Sequence, residues 1–386
     1  MPAKTWKLFE NNEGLRVDKI IAPKDLGSEG KWFVQQVTLR DGLSEGVQKV
    51  GIQNGKMFLE VLPTRGMGIW KAFAGGEAIG WQSPVRGPVH PKFVDLGEPS
   101  GLGWLDGFDE LFCRCGLVSN GAPDFDLQTG RLLHPVHGRI ANRPAHAVEV
   151  TVDEGKEEIS LRGIVEETRF HVTKLRMTST ITTKFNSTTF RVHDEILNFS
   201  ASPAEIQMLY HINFGLPLLD AGSRVVLPAK TVVPRTSRAA SGLKTWDSYA
   251  APEPGWEEMV YFLDLHADSA GWTRTLLKNA HGTRGISLVF NTQQLPWFTL
   301  WKNTTAEADG YVTGLEPGTN FPNPRSFEGE QERLVRLPPG GKQVFDVTME
   351  IHTTAAEVKA AESAVARIRG GRNPQIFSEP QSGWCA

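Results

Sequence analysis

Three segments carry side chains able to move protons at neutral pH. In Tyr311-Val-Thr-Gly-Leu-Glu-Pro-Gly-Thr-Asn-Phe-Pro322 a carboxylate, Glu316, follows a strand-like run and is braced by Pro317 and Gly318. A strand-end turn of this kind holds a base against a rigid sheet. In Tyr210-His211-Ile-Asn-Phe-Gly215 an apolar run delivers His211, which shares a strand face with Leu209 and Asn213. Such a histidine is either pinned in the core or pointed into a cavity, where its near-neutral pKa suits a proton donor. In Leu133-His-Pro-Val-His-Gly-Arg139, His134 and His137 stand three apart. His137 either hydrogen-bonds a substrate or is satisfied by backbone. Zinc would need a third ligand, and Pro135 sits between the two histidines with no acidic partner near, so no metal is expected.

Arginines and aromatics surround these segments. Arg65 precedes Gly66 and Gly68, and Arg139 and Arg143 follow His137. An arginine fork binds vicinal hydroxyls or carboxylates; a structural ion pair is the alternative for each. Trp104 and Asp109, in Gly103-Trp-Leu-Asp-Gly-Phe-Asp-Glu-Leu-Phe-Cys-Arg-Cys115, are candidate cleft residues. Trp301 closes the apolar run Pro296–Lys302, which also holds Trp297. Core packing is the alternative for the tryptophans.

The bulk numbers exclude several classes. A chain of 386 residues, 40% hydrophobic and 22% charged, has room for two ordinary domains or one large all-β domain. A net charge of −3 lacks the basic footprint of a nucleic-acid binder. No apolar run reaches membrane-spanning length, and Met1–Glu10 lacks the apolar core and cleavage site of a secretory leader. Only three cysteines occur, of which Cys113 and Cys115 alternate on a strand and read as small buried hydrophobes. This fits a reducing, cytoplasmic setting. No P-loop, dinucleotide fingerprint or G-x-S-x-G elbow is present.

The elements that must position the candidates read as strands. Phe345, Val347, Met349 and Ile351 alternate with polar residues. Residues 158–199 carry several consecutive strands, and 225–233 and 287–301 read similarly. Asn54-Gly55, Asp309-Gly310 and Pro339-Gly340-Gly341 mark turns. One helix is predicted over 355–369, between a Thr354/Glu357 capping box and Gly370-Gly371. The expectation is one domain over 1–370, built of two large antiparallel sheets face to face. Residues 371–386 are expected to form a loosely tethered tail.

The stretches LPTRGMGIW, GWLDGFDELFCRCGL, HPVHGR and GLEPGTNFP resemble segments of the aldose 1-epimerase (galactose mutarotase)-like superfamily, and within it the divergent DUF4432 branch. The resemblance spans about residues 30–352. It implies an all-β supersandwich with an open sugar cleft and a short C-terminal helix. It also implies Glu316 as base, His211 as acid and His137 as the residue that orients the sugar. Arg65, Arg139, Trp104, Asp109 and Trp301 are then expected to bind substrate, with no cofactor. The implied partner is a small-molecule sugar, with no nucleic acid and no membrane. The implied activity is interconversion of sugar anomers; a non-catalytic carbohydrate-binding protein on the same fold is the alternative. Two departures stand out. The segment around His211 lacks the family's usual preceding residue and final Asn-Leu. The family's sugar-binding aspartate has no clear match, Asp247 and Asp264 being the candidates.

Overall fold

The computed structural model describes residues 3–10 and 18–386; residues 1–2, the start of the N-terminal segment read above, and residues 11–17 lie outside it. Alternation builds the long strands. Ile159, Leu161 and Val165 on Glu158–Arg169, and Leu175, Met177 and Ile181 on Thr173–Lys184, all point to the core while their polar neighbours face out. These strands pair antiparallel with each other and with Thr189–Asn198, so 158–199 does hold consecutive strands. Among the described residues they belong to a nine-stranded sheet that also includes Lys342–His352 and Gly285–Asn291.

A second sheet, 14-stranded among the described residues, carries Glu316, His211 and Trp301. Its centre runs Phe112–Leu117, Ala204–Phe214, Val312–Gly318, Trp297–Asn303, Met259–Leu265 and Ala229–Pro234, in that spatial order. One continuous hydrophobic cluster takes residues from both sheets, among them Val192 and Phe345 from the first and Met208 and Tyr210 from the second. The architecture is the all-β supersandwich expected. Between the sheets, Arg114 and Asp194 form a buried fork (Nε to Oδ2 2.6 Å, Nη2 to Oδ1 3.1 Å), and the Tyr210 hydroxyl donates to the same carboxylate at 2.9 Å. A buried charge survives only when it is paired and hydrogen-bonded in this way.

The helix Ala355–Arg369 forms at its predicted bounds. The Glu357 N–H donates to Thr354 Oγ1, the Glu357 carboxylate accepts from the Thr354 N–H, and Gly370 ends the helix with φ 62°. Val358, Ala361 and Val365 pack it on Leu276 of the nine-stranded sheet.

The tail differs from expectation. Gln375–Ile376 adds to the sheet edge beside Thr231–Val232, and the Trp384 ring stacks on Phe321 at 4.9 Å. Asn323 Nδ2 donates to the Trp384 carbonyl at 2.8 Å and Arg333 Nη1 to that of Gly383 at 2.7 Å. An indole and a few backbone acceptors suffice to dock a segment with little periodicity of its own.

Candidate functional site

Glu316 lies within the strand Val312–Gly318, not in a turn beyond it, because Pro317 continues the extended backbone. Pairing with Ala204–Phe214 occurs at Ile212–Leu315 and Leu209–Gly318, so His211 and Glu316 stand across from one another. On the far side of each, Thr299 pairs with Glu316 and Cys113 with His211. Four adjacent strands therefore bring Thr299, Glu316, His211 and Cys113 into one transverse row. The spacing of neighbouring strands, near 5 Å, makes direct contact between such side chains possible.

His211 Nε2 is 3.3 Å from Glu316 Oε1, with the residues 4% and 2% exposed. The alignment makes no hydrogen bond, and Glu316 Oε1 is buried without such a partner. On the other ring edge, His211 Nδ1 is 2.6 Å from Asn213 Oδ1. Asn213 Nδ2 donates to the carbonyls of Glu110 (3.0 Å) and His211 (3.2 Å), which leaves its oxygen as the acceptor. Nδ1 of His211 is thereby assigned the N–H, and Nε2 of the neutral ring keeps its lone pair toward Glu316. Leu209, His211 and Asn213 share the face read from alternation.

His137 approaches from a loop. Its backbone is left-handed (φ 56°), and the next residue, Gly138 (φ 71°), is so close to neighbouring backbone that a Cβ would lie 1.9 Å from the Ser119 carbonyl oxygen. Gly138 therefore admits neighbouring backbone. His137 Nδ1 donates to the Asn120 carbonyl at 3.0 Å, leaving Nε2 as an acceptor. The rings of His137 and His211 are 5.2 Å apart.

These groups line one cavity of about 300 Å³, walled by Trp104, Phe108, Val136, Val260, Trp301 and Pro322. Trp104 meets His137 at 4.7 Å, and Phe108 and Trp301 meet His211 at 5.1 and 5.3 Å, centroid to centroid. Trp104 Nε1, like Glu316 Oε1, is buried without a hydrogen-bond partner. Two unsatisfied polar atoms at an aromatic cavity point to a polar guest.

The electrostatics follow from these walls. Burial pushes the Glu316 carboxyl well above the ordinary range; Glu258 adds to the rise and Arg235 opposes it. Burial pushes His211 well below the ordinary imidazole value, His137 lowers it further, and the Asn213 hydrogen bond opposes both. His137 is lowered by burial to about 4, against the Asn120 carbonyl and with a contribution from Arg235. Burial thus disfavours the charged form of both members of the Glu316–His211 pair, which titrate as a coupled unit.

Five of the eight residues singled out from sequence thus meet at one cavity: Glu316, His211, His137, Trp104 and Trp301. Arg65, Arg139 and Asp109 do not line it. Arg65 is wholly buried, paired with Glu110 through Nε, and donates to the carbonyls of Val89 (3.0 Å) and Gly107 (2.8 Å) and to Asn142 Oδ1 (2.9 Å). Its fork braces the turn Gly103–Gly107 that carries Trp104. Arg139, half-buried, precedes the turn Ile140–Asn142 and lies near Glu167. Asp109 accepts from Trp70 Nε1 at 2.7 Å and faces a separate cleft of about 760 Å³; burial, with Glu110 adding to it, raises its pKa to about 7. Asp247 and Asp264 form surface pairs with Arg224 (2.6 Å) and Lys230 (2.7 Å).

Two charged residues at the cavity went unread, Arg235 and Glu258. Glu258 accepts from Trp301 Nε1 at 2.7 Å. Both flank short strands in segments without periodicity; the pairing of Val260 with Trp301 brings Glu258 to the site, and the Arg235 N–H bond to the Val260 carbonyl brings Arg235. His134 ends the strand Leu132–His134, away from the cavity lining. Among the described residues no group of three or more His, Cys, Asp and Glu is arranged to hold a metal ion. Nor is any described helix long and apolar enough to cross a membrane.

Fold and site together define a galactose mutarotase-like supersandwich protein. A galactose mutarotase-like protein from Clostridium acetobutylicum superposes with a TM-score of 0.57 at 13% identity, over 84% of this chain and 99% of that one. A protein of Escherichia coli K12, provisionally designated an aldose 1-epimerase, superposes with 0.52 at 13% identity, over 80% of this chain and 100% of that one. Both likenesses establish the fold. The chain belongs to the DUF4432 family, whose model, described as a domain of unknown function, matches residues 44–351. A Klebsiella pneumoniae protein, also provisionally designated an aldose 1-epimerase, is 36% identical over 98% of this chain and 99% of its own, with a TM-score of 0.94. No curated protein matches the chain.

Proposed function

We propose that this chain is an aldose 1-epimerase-like enzyme that interconverts sugar anomers by acid–base ring opening. The observation that carries the reading is the 3.3 Å approach of His211 Nε2 to Glu316 Oε1 at the cavity wall. The designation of the Klebsiella relative supports it.

The pair carries one mobile proton. Moving it from Glu316 to His211 Nε2 creates a carboxylate base and an imidazolium acid side by side. Glu316 then takes the proton of the C1 hydroxyl while His211 protonates the ring oxygen. The C1–ring oxygen bond breaks and C1 becomes an aldehyde. Rotation about C1–C2 and closure with the roles reversed yields the other anomer and restores both residues. Asn213 keeps the His211 N–H on the edge away from Glu316. His137, neutral, offers Nε2 as an acceptor to a sugar hydroxyl, and the indole of Trp104 offers its N–H. Each positioned proton transfer contributes about 10²–10⁴-fold.

Anomer exchange measured by saturation-transfer NMR over a panel of aldoses and uronates tests the reading. Acceleration of at least one sugar is expected. Binding of a sugar by calorimetry with no acceleration for any member of the panel would instead favour a carbohydrate-binding protein.

A further inference from the structure

We infer that the sugar taken by this cavity carries an anionic group, a carboxylate or a phosphate, seated on Arg235. The inference rests on the anomer-exchange reading of the same site and narrows its substrate class.

Arg235 directly follows the strand Ala229–Pro234, and its backbone N–H donates to the Val260 carbonyl at 2.9 Å, so its Cα is anchored at the sheet. Its side chain is half-buried and lines the cavity. Among the described residues it is the only Lys or Arg that does so, and its guanidinium has neither a hydrogen bond nor an ion pair. The two most deeply buried arginines behave differently: Arg65 holds Glu110 and Arg114 holds Asp194. The other carboxylate at the rim, Glu258, accepts from the Trp301 indole, and among the described residues no ion pair joins it to Arg235. The charge nevertheless reaches the reacting groups, since it acts on both His137 and Glu316.

A guanidinium presents five N–H donors in a fixed fork that matches the paired oxygens of a carboxylate or phosphate. Beside walls of Trp104, Phe108, Val260 and Trp301 its charge is partly desolvated, and a neutral hydroxyl would leave it uncompensated. An anionic sugar both satisfies the fork and cancels the charge. Glu316 does not compete for that role: its close contact is with His211, and burial disfavours its charged form. The guanidinium of Arg235 therefore keeps its fork open to one anionic group of a bound sugar.

The test compares neutral hexoses, their hexuronates and their 6-phosphates. Exchange rates above the uncatalysed background are measured with the full chain and with Arg235→Ala and Arg235→Lys. The expected result is a kcat/KM at least tenfold higher for the uronate or the phosphate than for the neutral hexose. Arg235→Ala should raise KM for the acidic sugar at least tenfold, with a smaller fall in kcat, and Arg235→Lys should recover part of it. Which of the two acidic arms responds identifies the anion. Acceleration of neutral hexoses alone, or an equal loss for neutral and acidic sugars in Arg235→Ala, overturns the inference and leaves the exchange reading standing. If no sugar exchanges faster, the exchange reading fails first. Saturation-transfer binding of the uronate or phosphate that disappears in Arg235→Ala would then still support the anion seat, and its absence would overturn that as well.

Discussion

A Cβ placed on Gly314 would lie 2.4 Å from Glu316 Oε1 and 3.2 Å from Trp301 Cε3. The two residues are neighbours on the same strand face, so the carboxylate folds back over the glycine to reach His211. Gly314→Ala is therefore expected to swing the carboxylate away while costing the fold only about 1–3 kcal/mol. A displacement near 1 Å lowers turnover about 10²-fold. Circular dichroism and an anomer-exchange assay on the same preparation check both halves of this expectation.

Asn213 sets which edge of His211 carries the proton. Asn213→Ala removes that bond and frees the ring to take the other tautomer. A loss of about 1.4 kcal/mol in the transition state is about tenfold in rate. The expected outcome is a fall of about tenfold in kcat with little change in KM, and a pH profile shifted relative to the parent.

The pH dependence follows from the opposite shifts of the reacting pair. The working state holds one proton on the pair, with Glu316 raised and His211 lowered. Activity is lost on the acid side only when His211 also protonates, below its ordinary value of about 6.5. On the alkaline side it is lost only when the raised Glu316 ionises. A plateau through neutrality, wider than isolated groups would allow, is expected in kcat/KM against pH. Loss of activity on the alkaline side already at the ordinary carboxylate value, about 4.3, would contradict the burial of Glu316.

The same shift has a sign for stability. Glu316 has a raised pKa in the fold, so its contribution is fully present below the unfolded value and is lost as pH climbs through the folded one. Glu316→Gln carries no such group. Its Tm relative to the parent is expected to rise steadily as pH increases above about 4.3. Thermal scans across that range check the slope, and a Tm difference that shrinks with pH would contradict it.

Arg65 has a structural task. Arg65→Met leaves Glu110 buried without its cation, at a cost of about 3–5 kcal/mol. The denaturant midpoint is expected to fall accordingly, and because the fork also holds Gly107, the walls formed by Trp104 and Phe108 should loosen with it. An unchanged midpoint would contradict the assignment.

What could be read in advance follows physical range. Period-two alternation is local, and it located Lys342–His352 and the strands of 158–199. The helix cap at Thr354 and Glu357 is local as well. Glu316, His211 and His137 were legible because each sits in a distinctive segment that resembles a known one. Arg235 and Glu258 were not, since their place at the cavity comes from strand neighbours far apart in sequence. Arg65 and Asp109 lie away from this cavity, and their place was unreadable for a related reason. An arginine or aspartate beside glycines looks the same whether it meets a ligand or, as with Arg65 and Glu110, a buried counter-ion. The docked tail depends on Trp384 meeting Phe321, a contact no local pattern announces.

The most direct test is Glu316→Gln assayed by exchange NMR on a sugar that the parent accelerates, with circular dichroism to show that the fold is kept. Loss of the acceleration by about 10²-fold or more is the expected result. A folded Glu316→Gln variant that exchanges anomers at the parent rate would contradict the proton-sharing role given to Glu316 and His211.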